Sequence, residues 1–308
     1  VAFPTPVTLN DTTSQFNALT NCTQYESDST QLLNCWRNLD ANTILTAQDV
    51  VSPTEDAIFI PTVETTELLY QPLWGFTNGE IDDIPPYIIG TNNGEGFMVL
   101  EDYIHWSNSY QGLLSELTDE YNDLEIAHSI LDYYGITEIT SPSSSYYLDN
   151  AQIVSDSWRC SVRYLLELLG DNTDNIYNYE FDVVEYELNK NLLWGSFLPS
   201  CWNVTCHGID VWYLFNTDYW TQFDEYTNET LAITQTMQTL WSNFAKYLNP
   251  NGNGDNDDII WPQYTNSDDM TNYLDFEGYN EYNKKSTFED DRTDICSFWN
   301  KVGYSGMY

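Results

Sequence analysis

Tyr87-Ile-Ile-Gly-Thr-Asn-Asn-Gly-Glu95-Gly96 joins a short apolar run to a polar turn, and the apolar Phe97-Met-Val-Leu follows it. This pattern predicts a buried strand over Pro86 to Gly90, then a turn and the start of a helix. In open α/β sheets, side chains just beyond the carboxyl ends of strands line the ligand crevice. We therefore predict that Glu95 is a functional carboxylate. The alternative is an acid that the helix dipole favours at a helix N-terminus.

A second candidate segment is Cys201-Trp-Asn-Val-Thr-Cys206-His207-Gly208-Ile-Asp210. An imidazole titrates near neutral pH, which suits His207 to general-base chemistry. Gly208 would let a neighbouring group approach closely. The alternative is an ordinary histidine on the surface or satisfied in the core.

Two other runs are typical of strands, Ala57 to Val63 and Ile176 to Tyr186. In the second, aromatic and β-branched residues mix with acids, which predicts an outer strand. Amphipathic helices are predicted over 151–169 and 230–248, since apolar residues recur there at helical spacing. The first helix has these apolar positions on one face: Ile153, Trp158, Val162, Leu165 and Leu169. Strands separated by long helices indicate an α/β sheet, but three strands make a thin one, so we expect part of a larger fold.

The charge balance is strongly acidic, with 9 Lys and Arg against 48 Asp and Glu, or −39 overall. Such a surface repels phosphates, so neither nucleic acid nor an anionic membrane is expected as a partner. It would attract cations or a basic partner, or serve only for solubility. No run of 18 apolar residues occurs, so no membrane span is expected.

Six cysteines lack the CxxC spacing of zinc or thioredoxin-type sites, so their even number favours three disulfides and an oxidising compartment. Four Asn-x-Thr sequons predict N-linked glycans. Together these features predict a secreted protein. The chain starts at Val1 within the Pro-containing stretch Phe3-Pro-Thr-Pro6, from which we expect processing or truncation upstream. The sequons place the glycans at Asn10, Asn21, Asn203 and Asn228.

The order acid, then histidine, each after a strand, matches the last two members of the Ser…Asp/Glu…His order of α/β-hydrolases. Several segments then resemble the type-B carboxylesterases, the cholinesterase-like family, over roughly residues 20 to 300. Ile89-Gly-Thr-Asn-Asn-Gly-Glu95-Gly resembles the family's Gly-x-x-x-x-Glu-Gly segment, and His207-Gly-Ile-Asp210 its His-Gly-x-Glu/Asp segment. Further resemblances, in the family's order, are Cys22 to Leu39, Phe59-Ile-Pro-Thr-Val63, Leu240 to Lys246, Asn249-Pro-Asn, Trp261-Pro-Gln-Tyr264 and Cys296-Ser-Phe-Trp299.

The resemblance implies one α/β-hydrolase domain, of which residues 1–308 form the C-terminal part. Its incomplete mixed sheet, flanked by helices, would be completed by an N-terminal half that is not in this chain. Glu95 would be the triad acid and His207 the triad base. Asp156 would act in a second shell, or else begin a helix, and Asp210 would also lie in the second shell. The implied disulfides are Cys22–Cys35, Cys160–Cys296 and Cys201–Cys206.

The sequence has no Gly-x-Ser-x-Gly, and Gly303-Tyr-Ser305-Gly306 is only its nearest echo. Without a nucleophile and oxyanion donors, Glu95 and His207 have nothing to activate. Two hypotheses remain. In one, a partner half or chain supplies the serine, and the pair hydrolyses a small ester without any cofactor. In the other, the fold serves as a non-catalytic extracellular adhesion or structural glycoprotein.

The remaining candidates are minor. Residues 249–258 carry alternating oxygen side chains that suit Ca²⁺, but they lack the EF-hand pattern, so an exposed loop without metal is favoured. His105 and His128 lie on predicted helices without partners at ligand spacing, and both are expected on the surface.

Overall fold

The computed structural model describes the larger part of the chain, and the described residues divide after Glu80 into two compact units. The described residues are 6–51, 63, 69–81, 84–97, 109–138, 145–169, 175–184, 201, 204–215, 228–253, 260–264, 273–277 and 293–304.

The first unit is helical throughout its described part. Asp28 starts its second helix, because the Asp28 side chain accepts hydrogen bonds from the backbone N–H groups of Thr30 and Gln31. The Cys22–Cys35 disulfide joins the segment before that helix to Cys35 within it. The helices of this unit are α1 (Pro6–Leu19), a 3₁₀ turn (Thr23–Tyr25), α2 (Ser29–Arg37), α3 (Ala41–Val51) and α4 (Pro72–Thr77).

The second unit contains three parallel strands, β1 (Tyr87–Asn92), β2 (Ile176–Asp182) and β3 (Leu274–Glu277). Their order is β1-β2-β3, with Tyr87 opposite Ile176. The predicted outer position of β2 is wrong, because β2 is flanked by a strand on each side. The sequence also missed β3. The predicted strand over 57–63 lies outside the described residues except for Val63.

Helices pack against this sheet and against each other, which confirms the predicted α/β class. The strand β1 runs to Asn92 rather than ending at Gly90, and β2 ends at Asp182 rather than at Tyr186. None of the helices in the described ranges is long and apolar enough to cross a membrane. The helices are α5 (Tyr110–Tyr121), α6 (Leu124–Tyr133), α7 (Ser145–Leu169), α8 (Ile209–Phe215), α9 (Asn228–Tyr247) and α10 (Thr293–Val302).

The helix α7 begins at Ser145, earlier than the predicted start at residue 151. Asp156 therefore lies inside the helix, and the helix-start alternative for Asp156 is wrong. The Cys160–Cys296 disulfide joins α7 to α10. It closes a long loop that contains His207, and on loop-entropy grounds it stabilises by several kcal/mol.

Aromatic side chains fill the core beside β2 and β3. Trp261 is completely buried, and its indole N–H donates to the carbonyl of Asn178 at 2.7 Å. The Asn251 side-chain amide accepts from the Trp261 N–H and donates to the Trp261 carbonyl, so it holds this residue in place. Residues 254–258 of the proposed calcium loop lie outside the described residues.

Gly90 of β1 lies opposite Tyr179 of β2, and the tyrosine ring lies against the glycine. A Cβ atom at Gly90 would lie 2.3 to 2.5 Å from three ring carbons of Tyr179. The absence of a side chain at Gly90 therefore lets the Tyr179 ring lie across β1.

We predict that Gly90→Ala lowers the free energy of unfolding by about 1–3 kcal/mol, because the new methyl group forces the Tyr179 ring to move. The matched test places the same substitution in a Tyr179→Leu background, where the clash is relieved. Denaturant unfolding of the four variants should show a smaller cost of Gly90→Ala when Tyr179 is absent. An equal cost in both backgrounds would contradict this account.

Candidate active site

Glu95 lies just beyond the carboxyl end of β1, as the sequence predicts, where the turn at Asn93 and Gly94 leads into a helical segment that begins at Glu95. The backbone N–H of Gly94 donates to the carbonyl of Thr205 at 2.8 Å, and Gly94 forms an isolated parallel bridge with Cys206. On the other side, the Thr205 hydroxyl donates to the carbonyl of Val183, just after β2. The segment that precedes His207 is thereby held between the ends of β1 and β2.

These contacts bring together the two predicted residues, which are 112 positions apart. The Nδ1 atom of His207 lies 2.6 Å from Oε2 of Glu95. An ionised carboxylate only accepts hydrogen bonds, so Nδ1–H donates and Nε2 is left free to accept a proton. The other oxygen of Glu95, Oε1, accepts from the backbone N–H of Asn92 at 2.7 Å. Glu95 is 6% exposed, whereas the His207 side chain is 48% exposed.

The electrostatics of the pair favour a protonated imidazole. The hydrogen bond to Glu95 raises the pKa of His207 above its ordinary value, partial burial opposes this, and the charges of Glu95 and Asp210 add to the rise. A base whose conjugate acid is stabilised in this way is suited to accept a proton during a reaction.

Asn92 is a site residue that the sequence analysis missed. Besides its backbone bond to Glu95, its side-chain Nδ2 donates to the carbonyl of Cys206 at 2.8 Å and to Oδ1 of Asp210 at 3.1 Å. One residue at the end of β1 thus holds the acid, the residue before the histidine and the helix after it. Its position in the sequence could have indicated this role, because an asparagine at the end of a strand can form hydrogen bonds through both its backbone and its side chain.

Asp210 does not hydrogen-bond to the imidazole. It lies in the first turn of α8, and its Oδ2 accepts from the Tyr179 hydroxyl at 2.7 Å. Burial, and then the Asp210 charge, raise the pKa of Tyr179 well above its ordinary value, so the hydroxyl stays protonated and donates. Asp210 therefore supports the site indirectly, through its contacts with Asn92 and Tyr179.

Asp156 contacts the turn before Glu95 indirectly, through Arg159. Its carboxylate, 4% exposed, accepts from Tyr134, Gln152 and Arg159. The Arg159 guanidinium donates in turn to the carbonyl of Asn93 at 2.7 Å and lies 3.4 Å from the Glu180 carboxylate. A largely buried arginine between two carboxylates therefore supports the turn that precedes Glu95.

Trp158 also lies beside the site. The sequence placed it on the apolar face of a helix, but in the structure it is 37% exposed. Its ring packs edge-to-face with the His207 imidazole, with ring centroids 5.1 Å apart and an angle of 85° between the planes.

The three disulfides pair as the family resemblance implies. Cys201–Cys206 closes a short ring immediately before His207, and both cysteines are fully buried. Within the described ranges, every cysteine is paired.

The other candidates are only partly covered. His128 is exposed on α6, as predicted, while His105 and Ser305 lie outside the described residues. Asn21 and Asn228 are exposed, whereas Asn203 and the side chain of Asn10 are not described. Across the described ranges no group of three His, Cys, Asp or Glu could hold a metal ion.

Comparison with known proteins places this chain in a family. The family model described as "Carboxylesterase family" matches residues 4–299. The chain belongs to the carboxylesterase family. It is similar to the mouse (Mus musculus) cholinesterase, 22% identical over 291 residues, which are 87% of this chain and 44% of that protein.

Two further relatives match over shorter stretches. A protein named "crystal protein" from Dictyostelium discoideum is 26% identical over 205 residues, 63% of this chain and 33% of the relative. An esterase of Caenorhabditis elegans is 26% identical over 179 residues, 51% of this chain and 31% of the relative. The chain spans less than half the length of each of these curated relatives.

We predict that Asn92→Ala lowers the free energy of unfolding by about 1–3 kcal/mol, because it removes the hydrogen bonds from the Asn92 side chain to the Cys206 carbonyl and to Asp210. Asn92→Asp should cost more at pH 7, since it places a second carboxylate against Asp210. Adding Asp210→Asn should recover part of this extra cost, as measured by denaturant unfolding. If Asn92→Asp costs no more than Asn92→Ala, Asn92 does not join these two loops as described.

The raised pKa of His207 also predicts a pH-dependent stability. Its stabilising contribution is complete below the unfolded-state pKa of about 6.5 and is lost as the pH rises through the higher folded-state value. A double-mutant cycle of Glu95→Gln and His207→Gln, measured from pH 6 upward, should therefore give a coupling free energy that falls as the pH rises. A coupling that is constant or grows with pH would contradict the assignment.

Proposed function

We propose that this chain supplies the acid and the base of a Ser-His-Glu triad in a secreted carboxylic-ester hydrolase. Glu95 orients the imidazole, and His207 is the general base. The observation that carries the proposal is the 2.6 Å contact between His207 Nδ1 and the buried Glu95 carboxylate. The serine and the oxyanion donors come from sequence outside these 308 residues, on the same polypeptide or on a partner half.

The chemistry proceeds from the free nitrogen of the imidazole. As the serine oxygen attacks the ester carbonyl carbon, His207 Nε2 takes the serine proton, and Glu95 stabilises the imidazolium. The imidazolium then gives that proton to the departing alcohol oxygen, which leaves an acyl-serine. A water molecule attacks the acyl-serine while His207 takes its proton, and return of this proton to the serine oxygen releases the carboxylic acid.

Several features support the extracellular setting. Each described cysteine is in a disulfide, and two sequon asparagines, Asn21 and Asn228, are exposed where a glycan could be attached. The charge of −39 would draw a cationic ester toward the protein through long-range attraction. The substrate class that we propose is therefore a small carboxylic ester, with no cofactor.

A second candidate is a non-catalytic, cholinesterase-like glycoprotein with an adhesive or structural role. It is favoured by the similarity to a Dictyostelium protein whose name, "crystal protein", describes no hydrolysis. In this alternative the Glu95–His207 pair would persist without a nucleophile.

The test is to isolate the natural, unreduced protein and to identify by mass spectrometry the sequence that accompanies this chain. The proposal expects a Gly-x-Ser-x-Gly serine that an organophosphate labels, with short-chain ester hydrolysis that the label abolishes. His207→Gln should then lower kcat/KM by about 10³-fold or more, since triad members act as a unit. A companion sequence without that serine, and no labelling, would leave the non-catalytic alternative.

A further inference from the structure

The hydrogen bond to Glu95 holds the imidazole of His207 at only one atom. A ring anchored at Nδ1 can still pivot about that bond, which would swing Nε2 away from a reacting hydroxyl. The residue after the histidine does not restrain the ring either, because a Cβ atom on Gly208 would meet nothing within 4 Å, and no group of the described residues makes the close approach that the sequence suggested there. Nearly half of the imidazole is exposed. A second contact is therefore needed to fix the direction of Nε2.

The ring of Trp158 makes such a contact. It lies almost perpendicular to the imidazole, at 85°, with 5.1 Å between the ring centroids. Edge-to-face packing of this kind is favourable and has a defined geometry, because the edge of one ring is attracted to the face of the other. Glu95 thus fixes one atom of the imidazole, and Trp158 limits the rotation of its plane.

The helix α7, which carries Trp158, is hydrogen-bonded directly to the segment on both sides of Glu95. The Ser155 hydroxyl accepts from the backbone N–H of Gly96 at 3.0 Å, and Arg159 donates to the carbonyl of Asn93. The approach is close, since a Cβ on Gly96 would lie 2.2 Å from the carbonyl oxygen of Ala151.

These contacts share one side of α7, because residues three and four positions apart lie on the same helix face. Ser155 lies three positions before Trp158, and Arg159 follows it directly. The position of the Trp158 ring relative to Glu95 is therefore set by Ser155 and Arg159, which lie before and after Trp158 in the sequence.

We propose that Trp158 is a positioning residue for the general base. Its ring holds the plane of the His207 imidazole, so that Nδ1 stays directed at Glu95 and Nε2 stays directed at the reacting hydroxyl. This inference rests on the proposed function, in which His207 is the base. Trp158 touches the imidazole and not the bond that is broken, so it acts through His207.

The direction in which the pKa of His207 shifts when Trp158 is removed distinguishes a positioning role from a role in excluding water. Among the residues that the structure describes, the charged groups that act on His207 are Glu95 and Asp210, and the hydrogen bond to Glu95 is the largest cause of the raised pKa. If Trp158 holds the imidazole on Glu95, its removal weakens that bond and lowers the pKa of His207. If Trp158 only excludes water, its removal hydrates the imidazolium and raises the pKa.

The experiment measures the pKa of His207 by NMR of ¹³Cε1-labelled histidine, in the natural protein with its accompanying sequence. The variants are Trp158→Ala, Trp158→Leu, Trp158→Phe and Glu95→Gln. Trp158→Leu keeps an apolar side chain at the site if the alanine variant fails to fold. Leu148→Ala is the control, since it shortens another exposed apolar side chain on the same helix.

We expect a lower pKa of His207 in Trp158→Ala and Trp158→Leu, in the direction of the Glu95→Gln value. Trp158→Phe should stay near the wild-type value, and Leu148→Ala should equal it. Where ester hydrolysis is measurable, Trp158→Ala should lower kcat roughly tenfold with KM unchanged, because the base is misplaced while substrate binding is intact.

An unchanged or raised pKa in Trp158→Ala and Trp158→Leu would overturn the proposal. The Glu95→Gln variant separates this failure from failure of the proposed function. If Glu95→Gln lowers the pKa and the Trp158 variants do not, only the role of Trp158 is wrong. If Glu95→Gln has no effect, the acid–base pair itself is wrong, and the role of Trp158 falls with it.

Discussion

The hydrogen bond between the His207 imidazole and the Glu95 carboxylate is the interaction on which the rest of the site depends. Glu95 is almost fully buried, and a buried carboxylate is tolerated only where hydrogen bonds or an opposite charge compensate it. Each of its oxygens has such a partner, the Asn92 N–H on one and the imidazole on the other. The exposed side of the imidazole is thereby left to exchange a proton.

The scaffold around this bond follows from the parallel sheet. The carboxyl ends of neighbouring parallel strands meet at one edge, so the turn after β1 and the segment near the end of β2 lie side by side. Asn92 links the acid, the Cys206 carbonyl and Asp210. The helix α7 supports the same turn through Ser155 and Arg159. The site is therefore carried by strands and a long helix rather than by a free loop.

The sequence predicted the parts of this arrangement that leave a local pattern: the apolar run of β1, the long amphipathic helix and the acid–histidine order. It placed β2 at an edge because Glu180 and Asp182 suggest exposure, but the Glu180 carboxylate is buried beside Arg159. The strand β3 alternates apolar and acidic residues, but its four residues are too few for this alternation to stand out in the sequence. The role of Asn92 depends on partners more than a hundred positions away, and no local pattern reports such contacts.

The most direct test of the account is ¹H NMR of the His207 Nδ1 proton in the unreduced protein. A proton shared in a short bond with a carboxylate and shielded from water resonates far downfield and exchanges slowly. We predict such a resonance at neutral pH, and its loss in Glu95→Gln and in His207→Gln. If the wild-type protein shows no such resonance, or if it survives in Glu95→Gln, the pair on which this account depends does not form.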